Sequence, residues 1–176
     1  MMSLKSTLSA LVFSFFLLNS NLSAQEAAKT PYAQLSSLKS QMPSPENRIV
    51  KLEQVDGSLN IDVTNGEKIV IKESGNYFIM AAGQVGGEKP GDSGFVDLWL
   101  LRNGHPIPNS GARQSVSDVK LTAVLVSQTI IPLKAGDSLN VGFFSNKSSH
   151  GLISFSPLQN EPAIPSIIFT IYKIGS

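Results

Sequence analysis

The sequence predicts an all-β protein, an antiparallel jelly-roll β-sandwich of about ten strands. Short apolar runs recur from Arg48 onward, and Gly, Asn, Asp, Ser and Pro separate them about every 8–14 residues. No segment after residue 47 shows helical periodicity. The 176 residues include no cysteine, so packing rather than disulfides must stabilise the fold.

Residues 1–24 have the pattern of a cleaved signal peptide. Lys5 precedes an apolar run at 11–18, and Ala24 supplies a small residue at the expected cleavage position. The run is too short to cross roughly 30 Å of hydrocarbon. We therefore expect a secreted or periplasmic protein whose mature chain has no membrane span.

Residues 25–47 are expected to form a linker or a short helix. Apolar residues recur there at spacings of three, three and four, which fits an amphipathic helix: Tyr32, Leu35, Leu38 and Met42. Three prolines and many small polar residues favour a flexible linker instead, and an isolated helix this short is marginal in water. Either interpretation starts the folded domain at Arg48, giving a domain over 48–176.

The predicted strands follow in short segments. They lie at residues 48–54, 59–63, 68–71, 77–85, 95–102, 119–132, 138–144, 152–156 and 166–174. Asn103-Gly104 is typical of a two-residue turn with positive φ angles, so it predicts a tight hairpin. The stretches 86–94, 106–117 and 146–151 are predicted to be loops.

Two predicted strands are apolar on both faces. Alternation places Trp99 and Leu101 on one face of 95–102, and Ile168 and Tyr172 on one face of 166–174, each opposite another apolar row. A strand of an antiparallel sandwich ordinarily needs one apolar face. We therefore predict that these four residues form an oligomer interface with further copies of the chain. The alternative is that the protein's own loops cover them.

Four segments resemble motifs of complement C1q and tumour-necrosis-factor-like jelly rolls, including microbial and phage-borne relatives. They are Glu73–Ile79, Val96–Gly104, Leu133–Leu139 and Pro162–Ile168. The resemblance covers residues 67–174 and implies a ten-stranded jelly roll that forms compact homotrimers. It also implies a binding or structural role exercised through loops. The chain has no Gly-X-Y repeat, which excludes a collagen stalk within it.

Catalytic and cofactor motifs are absent from the sequence. His105 and His150, the two histidines, are both placed in loops, and there is no G-x-S-x-G motif or cysteine nucleophile. The carboxylates are dispersed, so no metal or cofactor is predicted. A formal net charge of +1 argues against a nucleic-acid partner. We expect a non-enzymatic protein and regard a small hydrolase as a remote alternative.

Polar residues of the predicted loops are the candidate ligand contacts. They are Asp92, His105, Asn109, Arg113, Asn146 and His150. Arg113 is suited to anchoring a carboxylate or phosphate, although it also fits a solvated loop charge. The expected partners are the chain itself and a protein or glycan that the sequence does not identify. The competing hypothesis is a monomeric, lectin-like sandwich that binds carbohydrate.

Overall fold

A computed structural model of the protein describes residues 29–45, 48–89, 92–117, 122–156 and 159–175. These residues form twelve strands and no α-helix: β1 (Tyr32–Ser37), β2 (Gln54–Leu59), β3 (Ile61–Thr64), β4 (Lys68–Ile71), β5 (Gly75–Gly87), β6 (Gly94–Arg102), β7 (His105–Pro106), β8 (Ala112–Val116), β9 (Ala123–Leu133), β10 (Ser138–Ser145), β11 (His150–Leu152) and β12 (Ile167–Gly175). The predicted signal peptide lies outside the described residues.

The strands form two six-stranded antiparallel sheets. The first sheet has the order β9-β5-β12-β1-β2, and β11 pairs with the end of β5 beyond β12. The second sheet has the order β3-β4-β10-β6, with β7 and β8 both paired to the other edge of β6. The prediction of an all-β antiparallel sandwich is confirmed.

The core lies between the two sheets and follows strand alternation. Every second residue of the long strands is buried there, including Tyr77 and Ile79 of β5, Leu98 and Leu100 of β6, and Phe169 of β12. Fully burying such a side chain contributes roughly 1.5–3 kcal/mol of transfer free energy. This alternation fixes which residues of each strand face outward and remain available for binding.

Residues 32–37 are a strand, so the prediction of a linker or helix is wrong for this segment. β1 pairs with β12 from Tyr32↔Tyr172 to Ser37↔Ile167, and Ala33 and Leu35 are buried. The three-three-four spacing fitted a helix because Tyr32 and Leu38 are apolar, yet both are exposed. The folded domain therefore begins before Arg48.

Two predicted loops contain short strands. β8 lies within 106–117, and β11 begins at His150 in the predicted loop and ends at Leu152; they pair with the long neighbours β6 and β5, respectively. The hairpin prediction is confirmed, because Asn103 and Gly104 have φ angles of 51° and 80° and connect β6 to β7.

Candidate functional site

The outward surface of the first sheet carries most of the exposed large apolar side chains. We call it the outer apolar face, formed by Tyr32, Phe78, Met80, Val124, Val126, Ile130, Ile168, Tyr172 and Ile174. Ile168 is 36% exposed, Tyr172 42% and Ile130 62%. Single exposed apolar residues are ordinary, but a contiguous set marks an interaction surface.

Strand register arranges these residues in rows that cross the same face of the sheet. Tyr32 lies opposite Tyr172, Tyr172 opposite Phe78, and Phe78 opposite Ile130, which forms one apolar row across four strands. The ring centroids of Phe78 and Tyr172 are 5.2 Å apart. A second row places Ile168 opposite Ala82 and Ala82 opposite Val126. Between the two rows lies a mixed row, in which Met80 stands opposite Thr170 on one side and Gln128 on the other.

The outward apolar side chains of β6 in the second sheet are partly covered by the chain itself. Leu101 is only 9% exposed, and Trp99 is partly buried against Gly142, where a β-carbon would collide with the indole ring. The four predicted interface residues therefore lie on two different sheets, and their place in a subunit interface stays a prediction. Ile168 and Tyr172 lie on the outer apolar face, whereas Trp99 and Leu101 lie on the opposite sheet.

Three predicted ligand residues meet at the end of the sandwich where β6 begins. The Asp92 carboxylate pairs with the Lys147 ammonium at 3.0 Å and accepts a 2.8 Å hydrogen bond from the Ser149 hydroxyl. The hydrogen bonds from Ser149 and Lys147 hold the pKa of Asp92 below its usual value. Asn146 accepts a 2.8 Å hydrogen bond from the Phe95 amide through Oδ1. These contacts tie the 92–95 and 145–150 segments together.

His150 is not a surface ligand, which corrects the sequence prediction. Its side chain is fully buried at the start of β11. Nε2 lies 3.1 Å from the Asp92 carbonyl oxygen, and because a carbonyl only accepts, Nε2 is the donor. Nδ1 has no hydrogen-bond partner and faces Gly94, whose missing side chain leaves room for the ring. His150 thus packs the end of the sandwich.

The other predicted ligand residues lie elsewhere. His105 is exposed at the opposite end of β6, and Asn109 is exposed in the β7–β8 loop with a φ angle of 62°. Arg113 lies on β8, where it makes hydrogen bonds of 2.6 and 2.8 Å to the two oxygens of Asp97. The six residues therefore do not form one site, and Arg113 already has a carboxylate partner within the chain.

Sequence reasoning missed a small cleft beside the Asn146 loop. It has a volume of about 160 Å³, and the residues that line it include Pro43, Pro45, Arg48, Phe144, Asn146 and Ser148. The Arg48 guanidinium lies 5.2 Å from the centre of the Phe144 ring. The only sequence signal was an arginine beside two prolines, which the sequence alone could not connect to residues about 100 positions later.

A buried carboxylate that the sequence did not single out fixes the opposite end of β6. Asp137 is 8% exposed and accepts hydrogen bonds of 2.7 Å from the Lys134 amide and from the Asn103 side chain. Arg102 pairs with it at 2.7 Å. Burial raises the pKa of Asp137, but these hydrogen bonds and the Arg102 charge together outweigh burial and lower it.

Neither a metal cluster nor a membrane-spanning helix occurs in the part of the chain that the structure describes. No three His, Cys, Asp or Glu side chains among those residues are grouped so that they could hold an ion. None of the same residues form a helix long and apolar enough to cross a bilayer.

Solved structures with the same architecture define the fold. The chain superposes on the globular domain of zebrafish complement 1qA protein with a TM-score of 0.56 and 12% identity, covering 83% of this chain and 98% of that one. Murine APRIL, in a crystal structure at pH 5.0, matches with a TM-score of 0.53 and 10% identity, covering 83% and 100%. No family model and no curated protein matches the sequence. The protein has a C1q/TNF-like jelly-roll fold, as the sequence motifs predicted.

Proposed function

We propose that this protein is an exported, non-enzymatic binding module that assembles as a homotrimer through its outer apolar face. The outer apolar face carries the proposal. One apolar row crosses β9, β5, β12 and β1, a second crosses β9, β5 and β12, and their large side chains remain exposed in the part of the chain that the structure describes. A second copy of the chain would remove this surface from water, which is the main driving force for stable association.

The stoichiometry of three is the one that the resemblance to C1q and TNF-like jelly rolls implies. Proteins with C1q/TNF-like jelly rolls are trimeric binding modules, and the likeness here supports the same assembly. Export rests on the predicted signal peptide. The absence of catalytic motifs in the sequence supports a binding role rather than a hydrolytic one.

The test is the solution mass of the purified protein by light scattering after gel filtration, over a hundredfold range of protein concentration. We expect three times the mass of one chain. A single-chain mass at all concentrations would contradict the assembly and favour the monomeric carbohydrate-binding alternative. N-terminal sequencing of exported protein tests the leader, since cleavage near Ala24 is expected.

A further inference from the structure

Two arginines occupy comparable positions on the outer surface of the second sheet. Arg113 lies 3.7 Å from the centre of the Phe95 ring, and Arg48 lies 5.2 Å from the centre of the Phe144 ring. The two rings are neighbours, with centroids 6.0 Å apart. Each guanidinium is therefore supported by an aromatic face, which restricts its orientation.

The two arginines differ in their anionic partners. Arg113 makes a bidentate salt bridge with Asp97, in which two guanidinium nitrogens donate to the two carboxylate oxygens. Arg48 is exposed, and no carboxylate among the described residues is paired with it. The nearby cation Lys147 is already paired with Asp92. Arg48 thus stacks on an aromatic ring as Arg113 does, but none of the carboxylates that the structure describes pairs with it.

The backbone around Arg48 is held by β10. The Arg48 carbonyl accepts a 2.9 Å hydrogen bond from the Phe143 amide, and the Val50 amide donates to the Val141 carbonyl at 2.8 Å. Val50 is fully buried, so the segment is fixed to the sandwich. This places the base of the Arg48 side chain on an ordered element rather than on a free loop.

Two neutral side chains add donors beside Arg48 in the same cleft. Asn146 uses its Oδ1 to accept from the Phe95 amide, which orients its NH2 group away from that contact. Ser148 is exposed and lines the cleft with a hydroxyl group. A guanidinium, an amide and a hydroxyl therefore belong to residues that line one small cleft, and groups of all three kinds can donate hydrogen bonds to an anionic oxygen.

We propose that this cleft binds a carboxylate-bearing sugar. Arg48 would bind the ligand carboxylate with two hydrogen bonds, as Arg113 binds the carboxylate of Asp97. A cavity of about 150 Å³ accommodates benzene, so the cleft of about 160 Å³ has room for the carboxylate and part of the ring of a sugar acid. Pro43 and Pro45 offer apolar surface for the C–H groups of a pyranose ring. This inference names a ligand class for the proposed binding module and rests on that module having a binding role.

The experiment is a protein-observed NMR titration of the purified, ¹⁵N-labelled protein with sodium glucuronate, glucose and sodium benzoate. We expect glucuronate to bind and to shift the side-chain amide resonance of Asn146. Glucose should bind at least about tenfold more weakly, because it lacks the charge-assisted contact. Equal binding of glucose and glucuronate would overturn the carboxylate assignment. Equal binding of benzoate and glucuronate would overturn the sugar assignment.

Matched variants locate the site. Arg48→Gln should weaken glucuronate binding about tenfold or more, whereas Arg113→Gln, the same change over the neighbouring ring, should leave it unchanged. Arg48→Lys keeps the positive charge but cannot make a bidentate contact. Its affinity for glucuronate should therefore lie between those of the wild type and Arg48→Gln. Wild-type binding by Arg48→Gln would overturn the proposal.

The solution mass and thermal midpoint of each variant are measured on the same samples. Both should equal those of the wild type. A lower mass for Arg48→Gln would place Arg48 in a subunit contact and overturn its role as a ligand site. Failure of glucuronate binding with a trimeric mass would reject the ligand and retain the assembly, so the two proposals fail separately.

Discussion

The strands β6 and β12 have similar apolar patterns but very different surroundings. Each buries three alternate apolar residues in the core and presents another apolar row outward. On β6 the outward row is mostly covered, since Leu101 is 9% exposed and Trp99 packs on Gly142. On β12 the outward row is open, with Ile168, Tyr172 and Ile174 between 36% and 48% exposed.

The difference comes from the neighbouring strands. Beside Trp99, β10 carries Gly142, which lets the indole lie flat against the backbone. At the end of β6, Ile107 and Pro106 return alongside Leu101. β12 instead lies between β5 and β1, whose outward residues extend the apolar surface rather than cover it. A strand that is apolar on both faces therefore predicts that each face packs against something. The pattern does not show whether the cover is the same chain or another copy.

The largest expected effect is on β12. Ile168→Glu places a charge in the centre of the outer apolar face, where burial against a second copy would leave it unpaired. We expect the trimer to dissociate to a single chain in light scattering, while circular dichroism shows an intact β-sandwich. Ser115→Glu adds the same charge to an exposed position of β8 on the other sheet and should leave the mass unchanged. If Ile168→Glu remains trimeric, the outer apolar face is not the interface.

The second prediction concerns β6. Trp99→Ala should lower the free energy of unfolding by about 2 kcal/mol, because the partly buried indole loses its packing on Gly142. Urea unfolding in the Ile168→Glu background measures this change without a contribution from subunit association. In the wild-type background, Trp99→Ala should keep the trimeric mass. Loss of the trimer there would show that the outer faces of β6 and β12 both make subunit contacts.

Gly142→Ala offers an independent check on the same packing. Its added β-carbon would collide with the indole, so the variant should also be destabilised while keeping its assembly. Wild-type stability of both Trp99→Ala and Gly142→Ala would contradict the view that the chain itself covers β6.

The smallest expected effect is at the end of β6, where Asp137 accepts hydrogen bonds and pairs with Arg102. Its pKa is lower in the folded protein, so its stabilisation is present above the unfolded pKa of about 3.9 and is lost as pH falls through the folded value. Asp137→Asn should lower stability by about 1 kcal/mol at pH 7 and flatten the decline below pH 4. Urea unfolding between pH 2 and 7 measures both.

Asp56→Asn, at an exposed position of β2, is the matched control and should leave the acid dependence unchanged. An acid dependence in Asp137→Asn identical to that of the wild type would show that Asp137 does not contribute to it.

Much of the fold was predictable because it depends on local signals. The β4 boundaries, Lys68–Ile71, match the prediction, and the Asn103-Gly104 turn has the expected positive φ angles. β1, β8 and β11 escaped prediction because their order comes from pairing with distant strands. Tyr32–Ser37 has little apolar alternation of its own, and its neighbours β2 and β12 supply its hydrogen bonds.

The candidate sites were less predictable than the fold. Ile168 and Tyr172 were identified because alternation alone places them opposite the core. His150 was misjudged because a histidine among serines and glycine is typical of a loop, whereas pairing with Gly87 buries it. Arg48 was not considered, because its cleft forms only when its segment pairs with β10 and brings it to Phe144 and Asn146.

The sequence by itself determined the all-β class, the main turns, the alternating core and the two strands that are apolar on both faces. These features follow from side-chain periodicity and turn chemistry, which act over a few residues. The tertiary structure alone decided which apolar row the chain covers and that Arg113 pairs with Asp97. Both depend on contacts between residues far apart in sequence, such as Trp99 with Gly142 and Arg113 with Asp97.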